Sequence, residues 1–169
     1  LSLSYKVLRY VNSAYVGIPN RVDSIEHAAC MVGIDRIRTW STLIIMASGK
    51  TQATEILVIA LVRAKMCEQF GQRLGSHSPE KYFTLGLLSI LDALYELPIE
   101  EILDKLSLSE EVVEALTKGT GKMGLVLSCV KAYEEGEWIE LKQLQLEPSI
   151  IRDVYLEAVD WANHFSPLI

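Results

Sequence analysis

Apolar side chains recur at helical spacing along nearly the whole chain. Leu3, Val7 and Val11 share one face of a first helix. Residues 54–70 are hydrophobic on nearly every side, which predicts a central, largely buried helix. Strict alternation of apolar and polar residues, the mark of a half-buried strand, is sustained nowhere. The sequence therefore predicts an all-α fold, in which residues 1–169 form a single compact multi-helix domain.

Capping residues, glycines and prolines mark where the individual helices begin and end. Asp23 or Ser24 can cap a short helix that Gly33 closes. A helix over residues 35–46 follows and stops at Gly49. Further helices are expected to start near Pro79, Pro98, Ser109, Gly124 and Pro148, and the last of them is amphipathic.

The helix that starts at Pro79 is predicted to continue as far as the residues before Pro98. Its apolar face carries Phe83, Leu87, Ile90, Leu91 and Leu94. Ser89, Asp92 and Glu96 fall together on a more polar side. Ile90 is expected to be buried, because its apolar side chain has no group that must contact water or a metal ion.

Residues 83–92 resemble the helix of metal-dependent HD phosphohydrolases. In that superfamily a Gly-Leu-Leu-His-Asp run places an imidazole and a carboxylate side by side at a metal centre. In this chain the Gly-Leu-Leu of residues 86–88 is followed by Ser89 and Ile90. A serine hydroxyl is a poor metal ligand, and isoleucine has no ligand atom. The resemblance implies an HD scaffold that lacks the metal-binding pair.

Four further segments are similar to HDOD domains, the output-type relatives of HD domains. These are residues 8–15, 24–28, 60–68 and 108–112. Their order and spacing along the chain are those of an HDOD domain. The later segments are most similar to the HDOD domains that follow an EAL-type cyclic-di-GMP phosphodiesterase domain in bacterial signalling proteins. The resemblance implies a fragment of a longer protein with an EAL-type domain before residue 1. A first residue other than methionine agrees with this expectation.

Composition limits the partners and the cellular compartment that the sequence favours. The chain has 169 residues, 50% of them hydrophobic, and a formal net charge of −6, so nothing indicates a nucleic-acid surface. The longest apolar run, residues 56–62, is far shorter than the roughly 20 residues of a membrane helix. Cys30, Cys67 and Cys129 lie in apolar segments and are expected to be buried thiols in a reducing compartment. We expect a cytoplasmic protein without membrane insertion.

Two glycine-containing motifs resemble phosphate-binding loops. Residues 119–124 fit the G-x-G-x-x-G spacing, but they follow a helical segment instead of a strand. We interpret them as the end of one helix and the start of the next. Gly49, Lys50 and Thr51 match the tail of a P-loop, yet Ile44 stands where that motif needs a glycine. Neither motif predicts a nucleotide site.

No group of side chains in the sequence predicts catalysis or metal binding. His27, His77 and His164 have neither a histidine four residues away nor a cysteine pair nearby. Asp92 is close to the degenerate HD positions, but one carboxylate cannot supply the ligands of a catalytic metal. Ser89 would need an adjacent base to act as a nucleophile. We expect no catalytic residue, no metal ligand and no cofactor.

The candidate residues for contact with a partner are Asn12, Arg36, Trp40, Tyr155 and Trp161. Tryptophan and arginine are enriched among the residues that dominate binding energy at interfaces. Each candidate also has a structural interpretation. The amide of Asn12 can bond to the turn after the first helix, and the aromatic residues can lie at the edge of the core.

The resemblance implies a non-catalytic signalling module that acts by protein–protein interaction. Its expected partner is its own EAL domain or another regulator, and a homo-oligomer is also compatible with the sequence. Two alternatives stay open. One is a metal- or nucleotide-binding phosphohydrolase-like domain that keeps the HD pocket with altered ligands. The other is a DNA-associated regulator, which the acidic charge balance disfavours.

Overall fold

The computed structural model describes residues 3–12, 21–34, 36–37, 41, 51–104, 106, 108–137 and 147–165. Its helices are α1 (Leu3–Val11), α2 (Ile25–Val32), α3 (Thr51–Arg73), α4 (Pro79–Leu88), α5 (Leu91–Tyr95), α6 (Ile99–Leu103), α7 (Glu110–Lys118), α8 (Gly121–Glu135) and α9 (Pro148–Phe165). The described ranges contain no strand, so the all-α prediction is confirmed. Within them, no helix combines the length and the apolar character that crossing a membrane requires.

The chain divides into two compact units. These comprise Leu1–Val58 with Trp161–Ile169, and Ile59–Asp160. In the first unit α1 packs against α2, and Val7, Val11 and Ala28 are buried. The apolar face that the sequence predicts for the first helix is therefore the face that enters a core.

The ends of α2 follow the capping signals of the sequence. Ser24 is the N-cap, and its hydroxyl oxygen accepts a hydrogen bond from the amide of His27 at 3.1 Å. Gly33 ends the helix and donates its amide to the carbonyl oxygen of Ala29. Most of the helix predicted over residues 35–46 lies outside the described residues.

The side chain of Asn12 joins the end of α1 to the segment before α2. Its amide nitrogen donates to the carbonyl oxygens of Leu8 at 2.9 Å and of Val22 at 2.7 Å. Its Oδ1 accepts from the amide of Val22 at 2.7 Å. One side chain thus satisfies both backbone groups of Val22, as a neighbouring strand would. Asn12 has the structural role that was one of its two interpretations.

The second unit is built around the buried side of α3. Its core includes Met66, Cys67 and Phe70 of α3, Tyr82 and Leu85 of α4, Val112 of α7, Val126 and Val130 of α8, and Ile151 and Val154 of α9. These apolar side chains come from helices far apart in sequence, and their burial is the main stabilising contribution to the unit. The predicted burial of this helix is confirmed for one side only, because Ile59 on another side is 52% exposed.

The glycine spacing of residues 119–124 belongs to the turn between α7 and α8. Gly119 ends α7 in the left-handed conformation, with φ of 65°, and α8 begins at Gly121. A Cβ atom on Gly124 would overlap the carbonyl carbon of Gly119. The interpretation as a helix end followed by a helix start is confirmed, and close backbone packing explains the third glycine.

The three cysteines differ in exposure. Cys67 and Cys129 are buried, as expected, but Cys30 is exposed and that part of the prediction is wrong. On α2 it is Ala28 that is buried, and a residue two positions further along a helix points away from that side. Burial raises the pKa of the Cys67 thiol, and it outweighs the opposing effect of the Arg63 charge.

The buried Cys67 thiol should make the chain less stable in alkaline solution. In the unfolded chain this thiol ionises near its ordinary pKa of 9.0, whereas the folded chain keeps it protonated. The free energy of unfolding should therefore fall above about pH 9, by up to about 1.4 kcal/mol per pH unit from this group. Urea titrations between about pH 8 and about pH 10.5 measure the slope.

The matched variants for this test are Cys67→Ala and Cys30→Ala. Cys67→Ala should have a shallower pH dependence than the native chain, while Cys30→Ala should leave it unchanged because that thiol is exposed in both states. An unchanged slope in Cys67→Ala would show that the folded state does not hold this proton.

Candidate functional site

The glycine of the HD-like motif brings α4 into backbone contact with α3. A Cβ atom on Gly86 would lie 2.7 Å from the Cα atom of Ala64 and 2.8 Å from the carbonyl oxygen of Arg63. Real side chains do not tolerate such distances, so the approach requires a glycine. Leu87 and Leu88 are buried beside it in sequence. Residues 86–88 thus set the spacing of two helices, a role that needs no metal.

The segment after this contact is a turn. The prediction of one unbroken helix here is wrong, because α4 ends at Leu88 and Ser89 and Ile90 lead into α5. The Ser89 hydroxyl donates to the carbonyl oxygen of Gly86 at 2.7 Å, a bond that competes with helix continuation. The prediction that Ser89 and Asp92 share a polar side is wrong, since Ser89 is buried and Asp92 is exposed. Ile90 is buried as expected.

The guanidinium group of Arg63 lies beside Ser89 and pairs with Glu134. Its Nη1 donates to Oγ of Ser89 at 2.9 Å. Its Nε and Nη2 donate to the carboxylate of Glu134 at 3.1 and 2.6 Å. The side chains of Arg63 and Glu134 are 13% and 19% exposed. Their charged groups are therefore largely shielded from water, although Glu134 as a whole residue is exposed near the end of α8. We call these three residues the Arg63–Ser89–Glu134 network.

This network gives the Ser89 hydroxyl no catalytic base. Its hydrogen is donated to the carbonyl oxygen of Gly86, and its oxygen accepts from Arg63. The Glu134 carboxylate is held by the guanidinium group instead. The raised pKa of the adjacent Cys67 keeps that thiol protonated at neutral pH, which suits neither a nucleophile nor a metal ligand. The arrangement can pair charges and fix helices, and its own groups are not poised for acid–base chemistry.

In the part of the chain that the structure describes, no three histidine, cysteine, aspartate or glutamate side chains come together as metal ligands. Asp92 is exposed at the start of α5, where its Oδ1 accepts from the amide of Ala93 at 2.8 Å. His27 and His77 are exposed. The side chain of His164 lies outside the described residues.

The candidate partner-contact residues are placed in different environments. Arg36 is half-buried, and Trp40 lies outside the described residues. Trp161 is buried and offers little surface. Tyr155 is half-buried, and its ring centroid lies 5.2 Å from that of Tyr133, a separation typical of packed aromatic pairs. Of the three whose side chains the structure describes, Arg36 and Tyr155 keep part of their surface available.

Sequence reasoning missed the two charged members of the network. A signal for Arg63 was present, because this charge directly follows the apolar run of residues 56–62 in a helix predicted to be buried. A charge in such a position needs a partner. No local pattern pointed to Glu134, which is 71 residues away along the chain.

Removing the guanidinium group should destabilise the chain. We expect Arg63→Met, which keeps most of the side-chain volume, to lower the free energy of unfolding by about 2 kcal/mol. The reason is that Glu134 and Ser89 would lose their charged donor in a place largely shielded from water. Urea titration measures the change, and Arg152→Met is the control.

Both side chains of the Arg152–Asp153 pair are exposed. Arg152→Met should therefore change the free energy of unfolding by less than about 0.5 kcal/mol. Equal effects of Arg63→Met and Arg152→Met would contradict a structural role for the network.

Known proteins resemble the chain along its whole length. A family model described as HDOD domain matches residues 1–111. The Uncharacterized protein YuxH of Bacillus subtilis (strain 168) is 31% identical over 170 residues, which cover 97% of this chain and 42% of that protein. The Cyclic di-GMP phosphodiesterase CdgJ of Vibrio cholerae is 28% identical over 179 residues, which cover 100% of this chain and 40% of that protein. No solved structure matches.

The family match contains the features that shape the degenerate HD position. It includes the close contact at Gly86, the turn at Ser89 and Ile90, and the helix that carries Arg63, whereas Glu134 lies beyond it. The chain spans about two fifths of the length of the two relatives. With a matching family model over more than half of its residues, the chain belongs to the HDOD domain family.

Proposed function

We propose that this chain is a non-catalytic signal-transduction module that acts by protein–protein interaction. Its target would be a cyclic-di-GMP phosphodiesterase domain of the EAL type in the same longer protein. The Arg63–Ser89–Glu134 network carries the proposal. Where HD enzymes hold a metal with His and Asp, this chain has a guanidinium group beside a serine and a buried isoleucine. The guanidinium group of Arg63 is already paired with Glu134 and has no lone pair to offer a divalent cation there.

The similarity to CdgJ supports the signalling context. That relative is named a cyclic di-GMP phosphodiesterase, and this chain corresponds to 40% of its length. Under our proposal, hydrolysis belongs to the part of such a protein that this chain does not cover. The module itself would act by binding one conformation or oligomeric state of its target more tightly than another, and thereby shifting the equilibrium.

The absence of catalysis is tested directly on purified residues 1–169. The chain is incubated with cyclic di-GMP or bis(p-nitrophenyl) phosphate in the presence of Mn²⁺, Mg²⁺ or Ca²⁺. We expect no metal-dependent hydrolysis, because the degenerate HD positions supply no ligands. Metal-dependent turnover that disappears in Asp92→Ala would overturn the proposal.

The regulatory role is tested by deletion from the longer protein. Removal of the segment that corresponds to this chain should leave the phosphodiesterase groups in place but change the basal rate, the molecular mass in light scattering, or the response to a partner. If mass, rate and response are all identical in the two forms, the module has no regulatory role.

A further inference from the structure

The negative charge of the chain is concentrated in one short stretch of the second unit. Residues 92–111 contain seven Asp and Glu and one Lys, a net charge of −6. The whole chain has 22 acidic and 16 basic residues and the same net charge. The remaining residues, with 15 of each sign, are neutral. All seven acidic side chains of the stretch are exposed, so the charge faces solvent.

Large apolar side chains are exposed within the same stretch. Tyr95, Leu97 and Leu106 are 51%, 44% and 36% exposed. Tyr95 and Leu97 flank Glu96, which has the left-handed φ of 54°. Leu97 and Leu106 stand on either side of α6, a helix of five residues that spans about 7.5 Å. We call the exposed side chains of residues 92–111 the acidic–apolar surface.

The helices of this surface form one continuous part of the second unit. α6 packs against α5, and it also packs against α7. The backbone continues the connection beyond α6, since the amide of Leu106 donates to the carbonyl oxygen of Leu103 at 2.9 Å. Along this part of the chain exposed apolar side chains alternate with charged ones, and protein-binding surfaces combine apolar and polar groups in this way.

The charge distribution decides what kind of molecule fits this surface. A second copy of the chain is a poor occupant, because two acidic surfaces repel and the rest of the chain has no net positive charge. A segment rich in Lys and Arg with apolar side chains on one helical face would match both features. Its cations would pair with the rim, and its apolar side chains would cover Tyr95, Leu97 and Leu106.

We propose that the acidic–apolar surface docks a basic, amphipathic segment of a separate partner protein. This inference rests on the proposed function, in which the chain acts by binding proteins, and it adds the place on the chain and the chemistry of the partner. Complementary charge would speed association and fix the orientation of the segment. Burial of the three apolar side chains would supply affinity that salt does not screen.

The test uses residues 1–169 and a labelled synthetic peptide of Lys and Leu, about 18 residues or five helical turns long, with every Leu on one face. A scrambled peptide of the same composition spreads the Leu residues around the helix. Binding is measured by fluorescence anisotropy. We expect the amphipathic peptide to bind about tenfold more tightly than the scrambled one, because only it presents a continuous apolar face.

Two double variants of the surface should each weaken binding of the amphipathic peptide about tenfold. The first, Leu97→Ser with Leu106→Ser, removes exposed apolar contact and leaves the charge unchanged. The second, Glu101→Lys with Asp104→Lys, reverses charge in the middle and at the C-terminal end of α6 and should also reduce the salt dependence of binding. Circular dichroism melting checks that both variants stay folded, as expected for exposed positions.

The matched control is Glu26→Lys with Glu137→Lys. It changes the net charge by the same amount, and its positions correspond to those of the test. Glu26 is in the first turn of α2, as Glu101 is in the first turn of α6. Glu137 follows the C-cap Gly136 of α8, and Asp104 is the C-cap of α6. This control should bind the peptide as the native chain does.

Three outcomes would overturn the proposal. Equal weakening by the control would show that binding follows net charge alone. Native binding by the Leu97→Ser, Leu106→Ser variant would show that no apolar docking occurs. Binding by residues 1–169 but not by the longer protein would show that the surface is covered within its own chain. None of these results bears on the proposed function, which fails on the hydrolysis assay or the deletion comparison.

Discussion

Ile90→Asp should lower the free energy of unfolding by about 4 kcal/mol. Ile90 is only 6% exposed at the turn between α4 and α5, so the substitution removes apolar burial and places a carboxylate where water is excluded. The neighbouring cation of Arg63 is already paired with Glu134. Urea and thermal unfolding measure the loss.

The pH dependence of this variant gives an independent check on burial. A buried carboxyl has a folded-state pKa above its unfolded value of about 3.9. The stability deficit should therefore be smaller near about pH 5 than near about pH 8, because the neutral form costs less to bury.

Ile34→Asp is the control for Ile90→Asp, since it makes the same exchange at an isoleucine that is exposed. We expect it to change stability by less than about 0.5 kcal/mol. An unchanged melting temperature in Ile90→Asp would mean that position 90 is open to water, and the degenerate HD position would then still be a pocket.

Gly86→Ala should cost about 3 kcal/mol of stability, although it adds a single methyl group. The new Cβ atom would meet the Cα and carbonyl oxygen atoms of α3 at Ala64 and Arg63. Backbone atoms cannot rotate away as a side chain does, so α4 would have to move from α3 and disturb the core around it. Urea titration with an unchanged m-value would show the loss as one of stability alone.

Gly71→Ala is the matched comparison, because Gly71 is also a buried glycine within a helix of the second unit. Its Cβ atom would meet the ring of Tyr82 at 2.7 Å. A side chain can shift by small rotations, so we expect a smaller loss of about 1 kcal/mol. An equal or smaller cost for Gly86→Ala would mean that the two helices separate easily, and that the glycine of the motif does not set their spacing.

Some features of the fold could be predicted from the sequence and others could not. Periodicity and caps were sufficient to predict the existence and the approximate starts of most helices, because both depend on residues within one or two turns. The end of α4 at Leu88 was not predictable in this way. It coincides with a hydrogen bond from Arg63, 26 residues away from Ser89. Interactions over such distances leave no mark in local periodicity.

The same distinction applies to the candidate site. The resemblance to HD phosphohydrolases was sufficient to predict the absence of the HD pair at Ser89 and Ile90. The apolar side chain of Ile90 was sufficient to predict its burial. The ion pair beside Ser89 could not be predicted, because Glu134 lies in α8, outside the HD-like segment of residues 83–92. The error at Cys30 has a related cause. A short helix such as α2 carries too few apolar residues to fix which side enters the core.

The Arg63–Ser89–Glu134 network makes it difficult to restore a metal-binding pair at positions 89 and 90. Ser89→His and Ile90→Asp, made together, would restore the residues of the metal-binding pair, but they would remove the hydroxyl that Arg63 contacts and place a carboxylate at a buried position. If Arg63 were replaced first, Glu134 would lose its charged partner and the chain would be less stable. Either order of substitution is therefore expected to pass through a variant that is less stable than the native chain. The ion pair thereby disfavours a return to the metal-binding pair by single substitutions.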